Sequence, residues 1–351
     1  MTATDKSERI PIFVITGFLG SGKTTLINRL LKRPELQDTA IIVNEFGEIG
    51  IDHLIVSEGD EEVVLLDNGC LCCMASKGLK PTLEDLMFRR ARGQIPPFRR
   101  IIVETSGLAD PAPILSVLIG DYFLSRNFGL AGVLATVDGL LGEETLASYR
   151  DAARQVACAD RIVITKEDLA DQECISALGR FVRALNPTAV IDVREQGAYL
   201  GWFGDGNTLR HMNAGDIGAA PAYAREAKGR HHRRSGHEHH HHEFRSDLFL
   251  LGGVTTWPRY SDWVDALRRL NGPDLLRIKG FIEIDQPRRP YVVQAVQHVI
   301  SPPHRLEAWP SDDKRPRLIA ITREISRPEL AEVFSCLTGS NAGGRPVTFS
   351  R

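Results

Sequence analysis

At 351 residues the chain is long enough for two domains, the larger with a full core of its own. Its 42% apolar and 25% charged residues, with a formal net charge of −2, are ordinary for a globular protein and argue against a polyanionic partner such as nucleic acid. No run reaches the roughly 18 to 20 apolar residues that cross a bilayer, and the polar start MTATDKSERIPIF lacks the order of a secretory leader; the expected compartment is the cytoplasm, with no membrane partner.

The first apolar run, IPIFVIT (10–16), leads directly into GFLGSGKTT (17–25), and TTLINRLLKR then reads as a helix. Strand, G-x-x-x-x-G-K-[ST] loop and helix together form a phosphate cradle. Gly17, Gly20 and Gly22 let the backbone curl so that N–H groups face a phosphate at the positive end of the helix. Lys23 adds a point charge for the β- and γ-phosphates, and the Thr24 hydroxyl is a Mg²⁺ ligand. AIIV (40–43) and VVLL (63–66) are the next strand candidates, and LDNGCLCCM (66–74) follows.

That stretch holds Cys70, Cys72 and Cys73, half of the chain's six cysteines. In a reducing compartment such a cluster points to a metal or redox site before a disulfide framework. Three thiolates suit Zn²⁺ but fall one short of a closed tetrahedral cage, so ligand exchange can proceed at the open position. Buried small residues and a redox dithiol are the competing readings. Cys158, Cys174 and Cys336 stand singly and are expected as small core residues.

After a helix at KPTLEDLMFRRAR comes RIIVETSG (100–107), an apolar strand ending in Glu104 with Gly107 three residues on. A carboxylate there suits the surroundings of a Mg²⁺ ion, and the glycine lets a backbone N–H reach the γ-phosphate. GVLATVD (132–138) is a strand, LASYRDAARQVA one helix, and RIVITK (161–166) a strand that ends in TKED. In such an element Asp168 accepts hydrogen bonds from guanine N1 and N2 while the stem of Lys166 lies against the ring. Adenine offers no matching donors, which favours GTP over ATP. A helix, ECISALGRFVRAL, and a strand, AVIDV (189–193), complete the alternation.

The alternation predicts an α/β fold with a doubly wound, mostly parallel sheet over residues 8–205, and the phosphate cradle makes it a P-loop NTPase. Residues 206–246 are expected as a flexible linker, and its HHRRSGHEHHHHE stretch carries seven of the eleven histidines, a natural collector of Zn²⁺, Co²⁺ or Ni²⁺. His53, His211, His298 and His304 are isolated and are expected as surface or satisfied side chains. Residues 247–340 predict a smaller α+β domain with an antiparallel sheet: strand DLFLLGGVTTW, helix YSDWVDALRRL, strands LLRIKGFIEI, YVVQAVQHVI and RLIAITRE, and helix SRPELAEVFSCL. Trp257, Trp263 and Trp309 are expected mostly as core.

GFLGSGKTT, VNEFGEIGID, NGCLCC, ETSGLADP and TKED, in that order, resemble the CobW-like P-loop GTPases, metallochaperone-type proteins of which some are described as zinc chaperones. LLRIKGF, VVQAVQHV and PRLIAI resemble that family's C-terminal domain, so the likeness covers nearly the whole chain. The resemblance implies a Mg²⁺-dependent GTPase that binds zinc at the CxCC motif and hands it to the apo-form of a client metalloprotein. Gly17, Gly20, Ser21, Gly22, Lys23, Thr24 and Thr25 would hold phosphate and Mg²⁺, Lys166 and Asp168 the guanine, and Lys23, Thr24, Glu104 and Gly107 would serve hydrolysis. Asn44, Glu45 and Asp52 fall in the segment that senses the γ-phosphate. Val43 departs from the acidic residue some members carry there, so a further metal ligand from this segment falls to Glu45 beside Cys70, Cys72 and Cys73. His237, His239, His240, His241 and His242 would gather metal. Cobalt or iron delivery, for a corrin ring or a nitrile hydratase-like client, keeps the same fold; a metal buffer or a small-molecule kinase are the readings of another class. A homodimer is the further assembly carried as an expectation.

Overall fold

The computed structural model describes residues 9–36, 38–44, 63–65, 71–74, 78–193, 200–204, 244–270, 272–285, 289–310 and 313–338. They fall into two compact units, one drawn from Met1–Leu178 with Val190–Thr208, the other from Gly179–Ala189 with Leu209–Arg351.

The first unit is built on strands β1 (Ile10–Gly17), β2 (Thr39–Asn44), β3 (Val63–Leu65), β4 (Leu71–Met74), β5 (Arg100–Thr105), β6 (Phe128–Asp138), β7 (Arg161–Thr165) and β8 (Val190–Asp192). They form one sheet in the order β3-β4-β2-β5-β1-β6-β7-β8. Every neighbouring pair is parallel except β3 with β4. The uninterrupted apolar runs predicted this: β5 and β7 are buried at every position, as strands covered on both faces must be. The helices are α1 (Lys23–Leu31), α2 (Leu79–Ala91), α3 (Ala112–Gly120), α4 (Tyr122–Asn127), α5 (Gly142–Ser148), α6 (Arg150–Cys158), α7 (Gln172–Leu185), which belongs to this unit as far as Leu178, and α8 (Leu200–Gly204). Leu26, Ile27 and Leu30 of α1 pack with Phe13 and Ile15 of β1, and α8 adds Trp202 and Phe203, whose rings lie 5.1 and 4.9 Å from that of Phe13.

Three expectations fail here. LASYRDAARQVA is not one helix: Tyr149 is extended (φ −115°, ψ 114°) and separates α5 from α6, with its ring 4.6 Å from that of Phe18. The cysteine segment adds a strand missing from the expected set, because Leu71–Met74 pair as β4 between β2 and β3. An apolar L-C-C-M run beside VVL has the makings of a short hairpin strand once its cysteines are counted as small hydrophobes. Cys174 is no core residue; it is exposed in the first turn of α7, where its N–H donates to Asp171 Oδ1 at 2.7 Å. Cys158 is buried, as expected, and Cys336 is half-buried.

The second unit is an antiparallel sheet in the order β12-β11-β10-β14-β9, with β13 paired to β11. Its strands are β9 (Phe244–Leu250), β10 (Leu275–Ile284), β11 (Arg289–Val296), β12 (Val299–Ile300), β13 (His304–Arg305) and β14 (Arg317–Arg323). Helices α9 (Trp257–Arg269) and α10 (Arg327–Thr338) cover it. The YVVQAVQHVI run, expected as one strand, turns back at Gln297 (φ 51°), so Val296 pairs with Val299. Thr256 caps α9 by accepting from Arg259 N–H, and Pro258 suits the first turn. Of the three tryptophans expected mostly as core, Trp263 is fully buried, Trp309 is half-buried and Trp257 is 44% exposed.

Tyr260 of α9 is buried against Trp263, their centroids 5.5 Å apart, and burial pushes its phenol up to about 12. A phenol raised above its unfolded value of about 10 stabilises the fold fully below that value. The contribution is lost as pH rises from there through about 12. Tyrosinate absorbance should therefore show one of the six tyrosines titrating last, a step missing from Tyr260→Phe. Six tyrosines ionising together near pH 10 would contradict the burial.

Candidate functional site

β1 runs through the middle of its sheet and delivers the loop Phe18–Gly22 to the edge where parallel strands end, the usual place for ligands in such sheets. Gly17, Gly20 and Gly22 have φ of 141°, 70° and 93°, which L side chains rarely adopt. At Gly17 space is lacking too: a Cβ would lie 2.5 Å from the carbonyl oxygen of Thr136. No side chain caps α1 and no acidic residue sits in its first turn, an arrangement suited to an anion from outside the protein. Lys23 is nearly buried, and its Nζ donates to the carbonyls of Gly17 at 2.9 Å and Phe18 at 3.2 Å. Its ammonium is thereby held over the loop's own curl.

Hydroxyls stitch this loop to the neighbouring strand ends. Ser21 and Thr136 share a 2.7 Å hydrogen bond, Thr165 Oγ1 donates to Ser21 O at 2.7 Å, and Thr105 Oγ1 donates to Thr16 Oγ1 at 2.9 Å. Thr24 Oγ1 donates to Glu104 Oε1 at 2.9 Å, which joins α1 to β5. Glu104 is buried and stands level with Ile15 of β1 and Val43 of β2. Thr25 is exposed.

Gly107 is wedged against the phosphate loop: a Cβ there would lie 2.8 Å from Leu19 N. On the far side Gln155 Nε2 donates to Gly107 O at 3.1 Å and to Ala109 O at 3.0 Å. Asp110 accepts from Ala112 N–H at 2.9 Å and from Arg154 at 3.0 Å.

TKED caps β7. Lys166 has φ 54° and pairs through Nζ with Asp138 Oδ2 at 2.6 Å, while Asp138 Oδ1 accepts from the N–H groups of Leu140 and Leu141. Burial works to raise the Asp138 carboxyl, but these bonds outweigh it and hold the group below the usual carboxylate range. Asp168 is exposed, open to a ligand at the sheet edge. The structure thus gathers Gly17 to Thr25, Glu104 and Gly107 around one loop, and brings Lys166 to it through Thr165.

Cys72 and Cys73 stand in β4, level with Ile41 and Ile42 of β2. Met74 shares the row of Val43 and Glu104, so Cys73 lies one row in from Glu104, two strands away. Cys70, Glu45, Asp52, His237, His239, His240, His241 and His242 lie outside the described residues. Among the described residues no three His, Cys, Asp or Glu side chains are arranged to hold a metal. No helix among them is long and apolar enough to cross a membrane. Motif reading missed Thr136, Asp138 and Gln155. The first two occupy strand-end positions beside the phosphate loop, and Gln155 is a polar residue on the apolar side of a helix, a signal open to detection.

Residues 11–192 match the family model described as CobW/HypB/UreG, nucleotide-binding domain, and residues 244–337 match that of the Cobalamin synthesis protein cobW C-terminal domain. The zinc chaperone YjiA of Escherichia coli is 37% identical over 163 residues, 46% of this chain and 51% of YjiA. The zinc chaperone CobW of a Sinorhizobium species is 29% identical over 353 residues, 91% of this chain and 94% of CobW. The zinc-regulated GTPase metalloprotein activator 1 of Saccharomyces cerevisiae is 34% identical over 219 residues, 53% of this chain and 49% of the activator. The matches to YjiA and to the yeast activator thus span about half the length of those relatives. The crystal structure of Zn(II)-bound YjiA superposes with a TM-score of 0.69 at 28% identity, covering 94% of this chain and 99% of YjiA. With a phosphate loop, a strand-end carboxylate and both family models in sequence order, the chain belongs to the CobW/HypB/UreG nucleotide-binding family and carries the CobW C-terminal domain.

Proposed function

We propose that the chain hydrolyses GTP and couples hydrolysis to the handling of zinc by Cys70, Cys72 and Cys73, for delivery to an apo-metalloprotein. The observation that carries this is the hydrogen bond from Thr24 to the buried Glu104, because β5, which bears Glu104, adjoins β2, and β2 adjoins the cysteine strand. A change at the phosphates is then two strands away from the thiols. Support also comes from the names of the relatives YjiA, CobW and the yeast activator.

Each residue has a part. The N-terminus of α1 and Lys23 hold the phosphates, Gly107 brings a backbone N–H toward the γ-phosphate, and Asp168 reads guanine while Asp138 fixes Lys166 beside it. Thr24 and Glu104 offer hard oxygen donors 2.9 Å apart, which fits Mg²⁺. Thr24 would hold the ion and Glu104 would orient Thr24; when bound, the ion neutralises phosphate charge. Zinc is cargo rather than a resident ion, and two or three thiolates leave a position open for its exchange. In domain terms, 8–205 would bind nucleotide, 206–246 would link and gather metal through its histidines, and 247–340 would receive the client.

Zinc titration of the full chain, with GDP and with a non-hydrolysable GTP analogue, tests the coupling. We expect affinities that differ by about 5- to 150-fold, the usual span of allosteric linkage. The difference should vanish in the Cys72→Ser/Cys73→Ser variant. Equal affinities in the two nucleotide states of the unaltered chain would remove the proposal.

A further inference from the structure

Helix α6 grips both sides of the nucleotide site. At its start the Tyr149 ring lies 4.6 Å from that of Phe18 in the phosphate loop. One and a half turns on, Arg154 bonds Asp110 and Gln155 bonds the carbonyls of Gly107 and Ala109. Gln155 spends both of its amide hydrogens on two carbonyls of one short segment. With Leu19 pressed on the opposite side of Gly107, the peptide at this glycine has little freedom to rotate.

Gln155 is 1% exposed, and its Oε1 has no hydrogen-bond partner among the described residues. The side chain also walls a cavity of about 50 Å³ that Phe18, Leu19 and Ser21 border from the phosphate loop. A buried amide with an unpaired acceptor is a poor choice for stability alone. Its donor side is spent on the segment that follows Glu104.

We propose that Gln155 is a positioning residue for GTP hydrolysis: it clamps the Gly107–Ala109 backbone against the phosphate loop, so that α6 moves with that segment. The inference rests on the hydrolysis reading above and adds a residue and a helix to it. Both of its donor bonds go to the backbone of that segment, so Gln155 acts through the orientation of Gly107.

The test compares Gln155→Met, which keeps the shape and removes both donors, with Gln155→Glu, which can donate one hydrogen only when protonated. For each, kcat and KM for GTP, Kd for GDP and Tm are measured on the full chain. We expect kcat to fall by about 10- to 100-fold in Gln155→Met, the scale of a small misplacement at a reacting centre, with KM, Kd and Tm close to the unaltered values. Gln155→Glu should recover kcat, relative to the unaltered chain, as pH is lowered. Unaltered kcat in Gln155→Met overturns the clamp and leaves hydrolysis standing. A parallel fall of kcat, GDP affinity and Tm, or misfolding of both variants, makes the residue structural and overturns it as well. Absence of turnover in the unaltered chain removes the hydrolysis reading and the clamp with it.

Discussion

Replacing Lys23 by alanine is expected to lower GTP turnover by about 10²- to 10³-fold, the range for losing a preorganised donor at a site of developing charge. The ammonium is nearly buried and fixed by the carbonyls of Gly17 and Phe18, so its position is set before any phosphate arrives. Little reorganisation remains to be done on binding, which is why its removal should show in the rate. Arginine should not rescue it, because a planar fork cannot sit where a point donor bridges two adjacent carbonyls. The fold should lose only about 1 kcal/mol, the net worth of a hydrogen bond. Phosphate release under saturating GTP, paired with thermal melting of the nucleotide-free chain, separates the two effects. Turnover within about threefold of the unaltered chain would remove Lys23 from the phosphate site.

The glycine-rich loop and TKED were readable because each needs a particular residue at a fixed spacing next to an apolar run. IPIFVIT before GFLGSGKTT leaves the backbone little choice, and the φ values at Gly17, Gly20 and Gly22 are those the glycines allow. Uniformly apolar or mixed segments were harder. PILSVLI is apolar on every face and shows no helical period, so α3 and α4 went unanticipated; Asp121, which accepts from Leu124 N–H, starts the second of them. A single residue hid the break between α5 and α6, since tyrosine is no obvious helix breaker and Tyr149 is extended where its ring meets Phe18. LCCM presents two cysteines as candidate ligands, and that chemistry masks a run that also forms a strand.

Site residues divide along the same line. Lys23, Thr24, Glu104 and Gly107 announce themselves by motif. Thr136, Asp138, Arg154 and Gln155 do not, because the side-chain bonds that tie them to the site reach across 28 to 120 residues of sequence. Only strand order brings β6 beside β1 and α6 beside the segment after β5. The Asp138–Lys166 pair illustrates the consequence: TKED names the lysine, but what orients it comes from the end of a different strand.

Truncating Trp263 to alanine is expected to destabilise the second unit by about 3 to 5 kcal/mol, the cost of removing a large aromatic from a packed core. Its side chain is fully buried, with Tyr260 on one side at 5.5 Å and Phe334 of α10 at 6.2 Å, so α9 and α10 meet over it. The site has a built-in flaw: the indole N–H meets no acceptor among the described residues. Phenylalanine removes that unpaired donor as well as part of the ring, and the two effects oppose each other. Trp263→Phe should therefore cost about 1 to 2 kcal/mol, well short of the alanine value. Urea denaturation of the full chain, followed by near-ultraviolet circular dichroism, reads both, each transition fitted separately because a chain of two units need not unfold in one step. If phenylalanine proves as costly as alanine, the unpaired N–H is not the burden described; if alanine costs less than about 1 kcal/mol, α9 and α10 are held together by something other than this ring.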